Sequence, residues 1–190
     1  MKLYVMRHAY TNLNEAQRVQ GRIDVPLSNN GISLAHEIWS KIDDVKVDVI
    51  ATSPLLRATQ TAMIAATYID YKDPITVIQQ FVERDFGILE NMMIKKAKSI
   101  FAKTEDIENY ENNTIFEQRI LKGIHILFKH YEHKKVLLFA HSHVMKAILK
   151  LSTFKHLDYI QTSIDHQSII EFNVSLESIN YIQWIKKGKS

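Results

Sequence analysis

Cysteine is absent from this chain of 190 residues, which removes disulfides and thiolate metal sites from consideration. That absence fits the cytoplasm without requiring it. Glycine and proline are scarce, at 5 and 3 residues, and no Gly/Pro-rich linker, internal repeat or low-complexity tract divides the sequence. No apolar run approaches the roughly eighteen residues of a membrane span. The first apolar segment is broken early by Arg7 and His8, unlike the core of a signal peptide. The formal net charge is only +3, and no basic stripe interleaved with aromatics points to nucleic acid or a membrane surface. The tail "IKKGKS" reads as a solvated end. With 46% hydrophobic and 24% charged residues, the expectation is a soluble, cytoplasmic chain forming a single domain over residues 1–190.

What is present is an alternation of strand-like and helix-like runs. "KLYVM" is apolar on both sides, as a buried parallel strand would be. "GISLAHEIWSKI" then places Ile32, Ala35, Ile38, Trp39 and Ile42 at helical spacing. "VDVIATS" predicts a second strand, and Leu55, Ala58, Ala62, Ala65 and Ile69 form the stripe of a second helix. "ITVIQQFVE" reads as a third strand or extended segment, and residues 91–113 as a loop with a short helix, an insertion or lid over the body. A capping box at Thr114 and Glu117 predicts a helix start, with Ile120, Ile124 and Leu127 on one face. "KVLLFAH" is a fourth strand, "VMKAILKL" a helix, and "SIIEFNV" with "YIQWI" a closing hairpin. The pattern predicts an α/β sandwich around a mainly parallel sheet.

In such sheets ligands bind beyond the carboxyl ends of the strands, and these ends are chemically loaded. The first ends at Arg7-His8, the second at Thr52-Ser53-Pro54 with Arg57 in the next helical turn, the third leads to Glu83, and the fourth ends at His141. Arginine forks match phosphate oxygens and stay charged, and the start of the helix near Arg57 would add its positive end. Histidine can act as a covalent nucleophile, and a carboxylic acid can protonate a leaving oxygen. The combination reads as a phosphoryl pocket with its own nucleophile.

"RHAYTNLN", "QGRIDVPLSNNG", "SPLLRATQTA", "ERDFG" and "FAHSH" occur in this order across residues 3–143. Together they resemble the signature blocks of the histidine phosphatase superfamily, the phosphoglycerate mutase-like family. That resemblance implies a three-layer α/β/α sandwich and a metal-independent phosphomonoester hydrolase working through phosphohistidine on a small phosphorylated metabolite. No cofactor and no metal is implied. By the same resemblance His8 is the nucleophile, Arg7, Arg57 and His141 hold the phosphoryl oxygens, and Glu83 is the proton donor. Asn14 falls at a phosphate-contacting position, with Thr11, Gln20, Gly21 and Ser142 completing the substrate-binding set.

Three positions depart from the family pattern: Ala9 and Asn91 stand where glycine is usual, and Ser142-His143 replaces Gly-Gly. Asp85 and Glu90 are rival acids to Glu83, chosen against on spacing alone. His143 is either pocket wall or an incidental loop residue. His36, His125, His130, His133, His156 and His166 read as structural or solvated. Met92-Met93 reads as core or lid, and "KKAK", residues 95–98, as a solvated face or, in this position, an attraction for an anionic substrate. The stretch from Arg84 to Arg119 has no other arginine and ends acidic, which favours hydrolysis over the alternatives, a phosphoglycerate mutase-type transfer or an inactive phospho-ligand binder. Neither the identity of the ester nor the oligomeric state is written in the sequence.

Overall fold

The computed structural model describes residues 1–42, 46–104, 106–155, 157–166 and 168–186. His156 and the last residues of the basic tail lie outside them. In chain order, β1 (Lys2–Arg7) leads through the one-turn helix α1 (Asn12–Glu15) to α2 (Asn29–Ser40), β2 (Val49–Thr52), α3 (Leu56–Tyr68) and β3 (Thr76–Val77). Then come α4 (Ile94–Phe101), α5 (Asn113–Tyr131), β4 (Lys135–Ala140) and α6 (Ser142–Leu151), with β5 (Ser168–Val174) and β6 (Ile179–Lys186) closing the chain. The strands form one sheet in the order β3-β2-β4-β1-β5-β6. β3, β2, β4 and β1 are parallel, while β5 and β6 are antiparallel and make the expected hairpin.

The sheet is covered on both faces, which is why its strands are apolar at consecutive positions. Leu3 and Val5 of β1, with Val136, Leu138 and Ala140 of β4, pack against Phe116, Ile120, Ile124 and Leu127 of α5 and against α6. Met6, Ile50, Leu137 and Phe139 point the other way, onto Ile38 and Trp39 of α2 and Ala62 and Ala65 of α3. Alanines at the α3 contact let that helix approach closely, and the volume is filled instead by Trp39 and Phe139. Each such large side chain contributes on the order of 1.5–3 kcal/mol when buried.

Several boundaries differ from the sequence reading. The third strand shrinks to Thr76–Val77 at the sheet edge, followed by a 3₁₀ turn at Gln79–Phe81, so Glu83 sits in the segment beyond the strand rather than at its end. The long helix starts two residues early: Asn112 is its N-cap and accepts from the Ile115 N–H, so Thr114 lies inside the first turn. Ile32 lies outside the α2 stripe and is exposed, because Gly31 takes the inward position against the Tyr10 carbonyl.

Register fixes the site. β1 and β4 are adjacent with Arg7 opposite Ala140, and the His8 N–H donates to the Ala140 carbonyl at 3.0 Å. On the other side of β4, the Ser53 N–H donates to the Phe139 carbonyl at 3.0 Å. The residues following β1, β2 and β4 therefore meet at one edge of the sheet.

Candidate active site

His8 is buried, and its Nδ1 lies 2.6 Å from the Ala9 carbonyl oxygen. A carbonyl only accepts, so Nδ1 carries the proton and the lone pair is on Nε2. Burial, reinforced by the neighbouring Arg57, His141 and His166, holds His8 well below the ordinary histidine range. It is a neutral imidazole whose free nitrogen is set by its partner atom. His141 lies 5.2 Å away, ring centre to ring centre, and is kept neutral by burial together with Arg57 and Arg7. Its Nε2 is 2.6 Å from the Ser53 hydroxyl, while that oxygen receives the Leu55 N–H. The His141 Nδ1 is buried with no hydrogen-bond partner among the described residues.

Two arginines flank this pair. Arg7 donates to the Ile164 carbonyl at 2.8 Å and keeps an unpartnered, buried Nε. Burial, partly offset by Glu83, lowers it to about 10, so it remains charged at neutral pH. Arg57 donates to the carbonyls of Gly21 and Ile23, each at 2.8 Å, and its Nε is likewise buried without a partner. The loop that receives Arg57 turns at Gly21 with φ +55°, and a side chain there would collide with Glu90 Oε1 at 1.9 Å. Asp24 in the same loop accepts the Leu56 N–H at 2.7 Å. The start of α3 is thus capped by a carboxylate, and the positive helix end expected to assist Arg57 is already engaged.

Glu83 is buried, with Oε1 accepting the Arg84 N–H at 2.9 Å and Oε2 the His143 N–H at 3.2 Å, at the start of α6. Its rivals are tied up elsewhere. Asp85 pairs with Arg22 at 3.3 Å and accepts the Gly87 N–H. Glu90 accepts the N–H groups of Arg22 and Phe86.

A cavity of about 540 Å³ opens over these groups, lined by Arg7, His8, Arg57 and Glu83 and, of the other predicted residues, by Asn14, Gln20, Gly21 and Ser142. Thr11 and His141 are fully buried rather than part of its lining. Thr11 caps α1, trading bonds with Asn14, and its hydroxyl donates to Gln20 Oε1 at 2.9 Å. Asn14 and Gln20 are thereby held by their carbonyl ends. Among the described residues, no cluster of histidine and carboxylate groups is placed to hold a metal ion, and no helix is long and apolar enough to cross a membrane.

Residues 3–185 match the histidine phosphatase superfamily (branch 1). The chain belongs to that superfamily. It is 33% identical over 150 residues to the uncharacterized phosphatase PhoE of Bacillus subtilis, covering 76% of this chain and 74% of that one. The α-ribazole phosphatase of Shigella flexneri superposes with a TM-score of 0.78 at 23% identity, over 96% of this chain and 95% of that chain. A phosphoserine phosphatase variant from Entamoeba histolytica, solved in complex with phosphoserine, gives a TM-score of 0.78 at 21% identity, over the same shares. At these identities the two structures speak for the fold, which is phosphoglycerate mutase-like.

Within that superfamily the departures have physical explanations. The Ala9 methyl is buried beside Leu27 and Ala35, away from the cavity wall. Asn91 has φ +62°, the left-handed conformation that glycine, and after it asparagine, adopts most readily. His143 is pocket wall: its ring lies edge-on to Phe86 and stacks on Tyr159. Met92 packs with the Phe86–Leu89 cluster under α4, while Met93 is exposed. Lys98, from the stretch read as a solvated face or an attraction for an anionic substrate, lines the cavity.

Sequence reasoning overlooked three groups. Arg84 is fully buried, with its guanidinium on the ring faces of Phe116 and Tyr159 at 4.2 and 4.6 Å. Lys146 lines the cavity and donates to the Tyr159 carbonyl at 2.7 Å. His166, read as structural or solvated, is buried 5.4 Å from the His8 ring and hydrogen-bonds the His8 carbonyl. Nothing local in the sequence singled out Lys146 or His166.

Proposed function

We propose that the protein hydrolyses the phosphomonoester of a small metabolite in two in-line displacements at His8, without a metal ion. The observation that carries this reading is the His8 Nδ1 contact to the Ala9 carbonyl, which leaves Nε2 as the nucleophile in a cavity walled by Arg7 and Arg57. Nε2 attacks phosphorus, the ester P–O bond breaks, and Glu83 delivers the proton to the departing alcohol oxygen. Water then attacks the phosphohistidine, Glu83 takes its proton, and inorganic phosphate leaves. The unpartnered Nε groups of Arg7 and Arg57 supply fixed donors for charge developing on the phosphoryl oxygens, the contribution that preorganised dipoles make most effectively, with His141 packed beside the His8 ring. Asn14, Gln20 and the first residue of α6, Ser142, complete the wall around the ester, and Thr11 holds the first two in place. The lack of cysteine and the kind of substrate suit the cytoplasm.

The test is hydrolysis of an aryl phosphate in the presence of a chelator, with rapid acid-free quenching to trap the labelled enzyme. Turnover that survives chelation, with label on His8 and none in His8→Ala, is expected. Undiminished turnover by His8→Ala overturns the mechanism.

A further inference from the structure

We propose that Glu90 is a positioning residue that sets the direction of the Arg57 guanidinium, by fastening the turn at Gly21 from behind the cavity wall. This rests on the reading above, in which Arg57 binds the phosphoryl group, and adds a residue that never touches the substrate.

The starting point is what aims Arg57. A guanidinium is planar, so hydrogen bonds from two of its nitrogens fix where the remaining N–H groups point. Arg57 gives one Nη to the Gly21 carbonyl and the other to the Ile23 carbonyl. Both acceptors are main-chain atoms of a single loop, and residues 20–27 contain no helix or strand. The direction of the arginine is therefore inherited from a stretch of irregular backbone. Whatever holds that backbone holds the arginine.

Glu90 holds it at the decisive unit. Its Oε1 accepts the Arg22 N–H at 2.8 Å. That N–H and the Gly21 carbonyl belong to the same peptide group, which is planar and carries them on opposite edges. Glu90 and Arg57 thus grip the two edges of one rigid plate. Space points the same way: a Cβ at Gly21 would lie 1.9 Å from Glu90 Oε1, so the carboxylate sits directly against the turn.

Glu90 is itself anchored. The same Oε1 accepts the Phe86 N–H at 3.3 Å, and the Glu90 N–H donates to the Gly87 carbonyl at 3.0 Å, at the end of the 3₁₀ turn Gly87–Leu89. Beside it the Asn91 N–H donates to the Val19 carbonyl at 2.7 Å, and the Arg22 side chain pairs with Asp85 at 3.3 Å. The segment that follows Glu83 in this way secures the loop that aims Arg57. Among the described residues Gly21 lines the cavity and Glu90 does not. Its charge is a lesser influence: burial lowers Arg57, and of the carboxylates opposing that shift Glu90 ranks after Glu83 and Asp24.

Two conservative variants separate reach from charge. Glu90→Gln keeps an acceptor at full reach and loses the charge. Glu90→Asp keeps the charge and falls one methylene short of the Arg22 N–H. Calorimetric titration with inorganic phosphate reads the effect, beside steady-state hydrolysis of an aryl phosphate. Phosphate binding should weaken by about tenfold or more in Glu90→Asp and by less than about threefold in Glu90→Gln, the scale of one hydrogen bond to a charged group. KM for the aryl phosphate should rise in the same order. Because the defect acts through Arg57, Glu90→Asp should add less than about twofold in an Arg57→Met background.

A role confined to stability would lower the urea midpoint and leave the phosphate affinity of the folded protein unchanged. That result overturns the proposal, as does a larger loss in Glu90→Gln than in Glu90→Asp, full additivity with Arg57→Met, or phosphate binding that Arg57→Met leaves intact. If the wild type hydrolyses no ester, the phosphatase reading fails instead. The phosphate titrations still decide the proposal: the order and non-additivity above uphold it, and their absence overturns it.

Discussion

His166 donates from Nδ1 to the main-chain carbonyl of His8, although 158 positions separate them in the chain. The His8 N–H is already committed to the Ala140 carbonyl, so the backbone of the candidate nucleophile is held from both ends. The His166 ring also lies 4.1 Å from that of Tyr10, and the neighbouring Ile164 carbonyl takes Arg7. The loop between α6 and β5 is in this way a clasp over the first strand's end.

Removing that donor should slow catalysis without weakening substrate binding. His166→Phe keeps a ring against Tyr10 but leaves the buried His8 carbonyl without its partner, a cost of about 1–3 kcal/mol. The expected result is a fall in kcat of about tenfold or more with KM little changed. In His166→Asn the amide nitrogen replaces Nδ1 and should restore most of the loss. Equal defects in the two variants would show that ring volume, not the hydrogen bond, is what matters. Steady-state kinetics on both variants, with circular dichroism as a check on folding, makes the comparison.

The sequence carried most of the fold because the parallel strands have apolar residues on both faces and end in charge. "KLYVM" and "KVLLFA" have this pattern, and they occupy neighbouring places in the sheet. Residues 75–83 misled because Ile75, Val77, Ile78, Phe81 and Val82 make a short apolar, β-branched run like a strand, whereas pairing with β2 ends at Ile78, whose N–H donates to the Thr52 carbonyl; Phe81 is buried by a 3₁₀ turn instead. Residues clustered near a strand end could be read, and so could Glu83 from its spacing. Arg84, Lys146 and His166 could not, since what distinguishes them is burial in three dimensions. A buried cation and a surface cation look alike in a sequence.

Stability should fall steeply below pH 6.5. His8, His141, His143 and His166 are all held below the ordinary histidine range, each chiefly by burial, with His166 lowered to about 3. As pH drops, the unfolded chain takes up protons near 6.5 while the folded protein does not, so the folded state is disfavoured. Each histidine that stays neutral costs roughly 1.4 kcal/mol per pH unit below that point. The four together give about 5 kcal/mol per pH unit in the limit where all remain neutral. Urea unfolding at pH 7.5, 6.5 and 5.5 measures the slope. His166→Phe, with one fewer titrating ring, should lower that slope by about a quarter; a flat profile in the wild type would contradict the neutral assignment on which the nucleophile depends.

Arg119 holds the segment that presents Glu83. Its Nε and one Nη take both oxygens of Glu111 at 2.8 and 2.7 Å. The other Nη reaches the carbonyls of Gln80 and Val82 at 2.6 and 2.8 Å. This planar fork fixes three directions at once, which a lysine cannot do. Arg119→Lys should therefore cost about 1–3 kcal/mol in urea unfolding and lower kcat more than it raises KM, since the affected group is the proposed proton donor rather than the proposed phosphoryl cradle. Arg119→Leu should cost more than Arg119→Lys, because the Gln80 and Val82 carbonyls lose their donor and Glu111 keeps only Arg22 at 3.5 Å and the Asp85 N–H at 3.3 Å. Adding Glu111→Leu to Arg119→Leu should then recover stability, as removing both members of such a pair is less harmful than removing one. The carbonyls of Gln80 and Val82 stay unpaired in the double variant, however, so its kcat should remain low. A double variant that regains both stability and kcat would mean that Glu83 is positioned without Arg119.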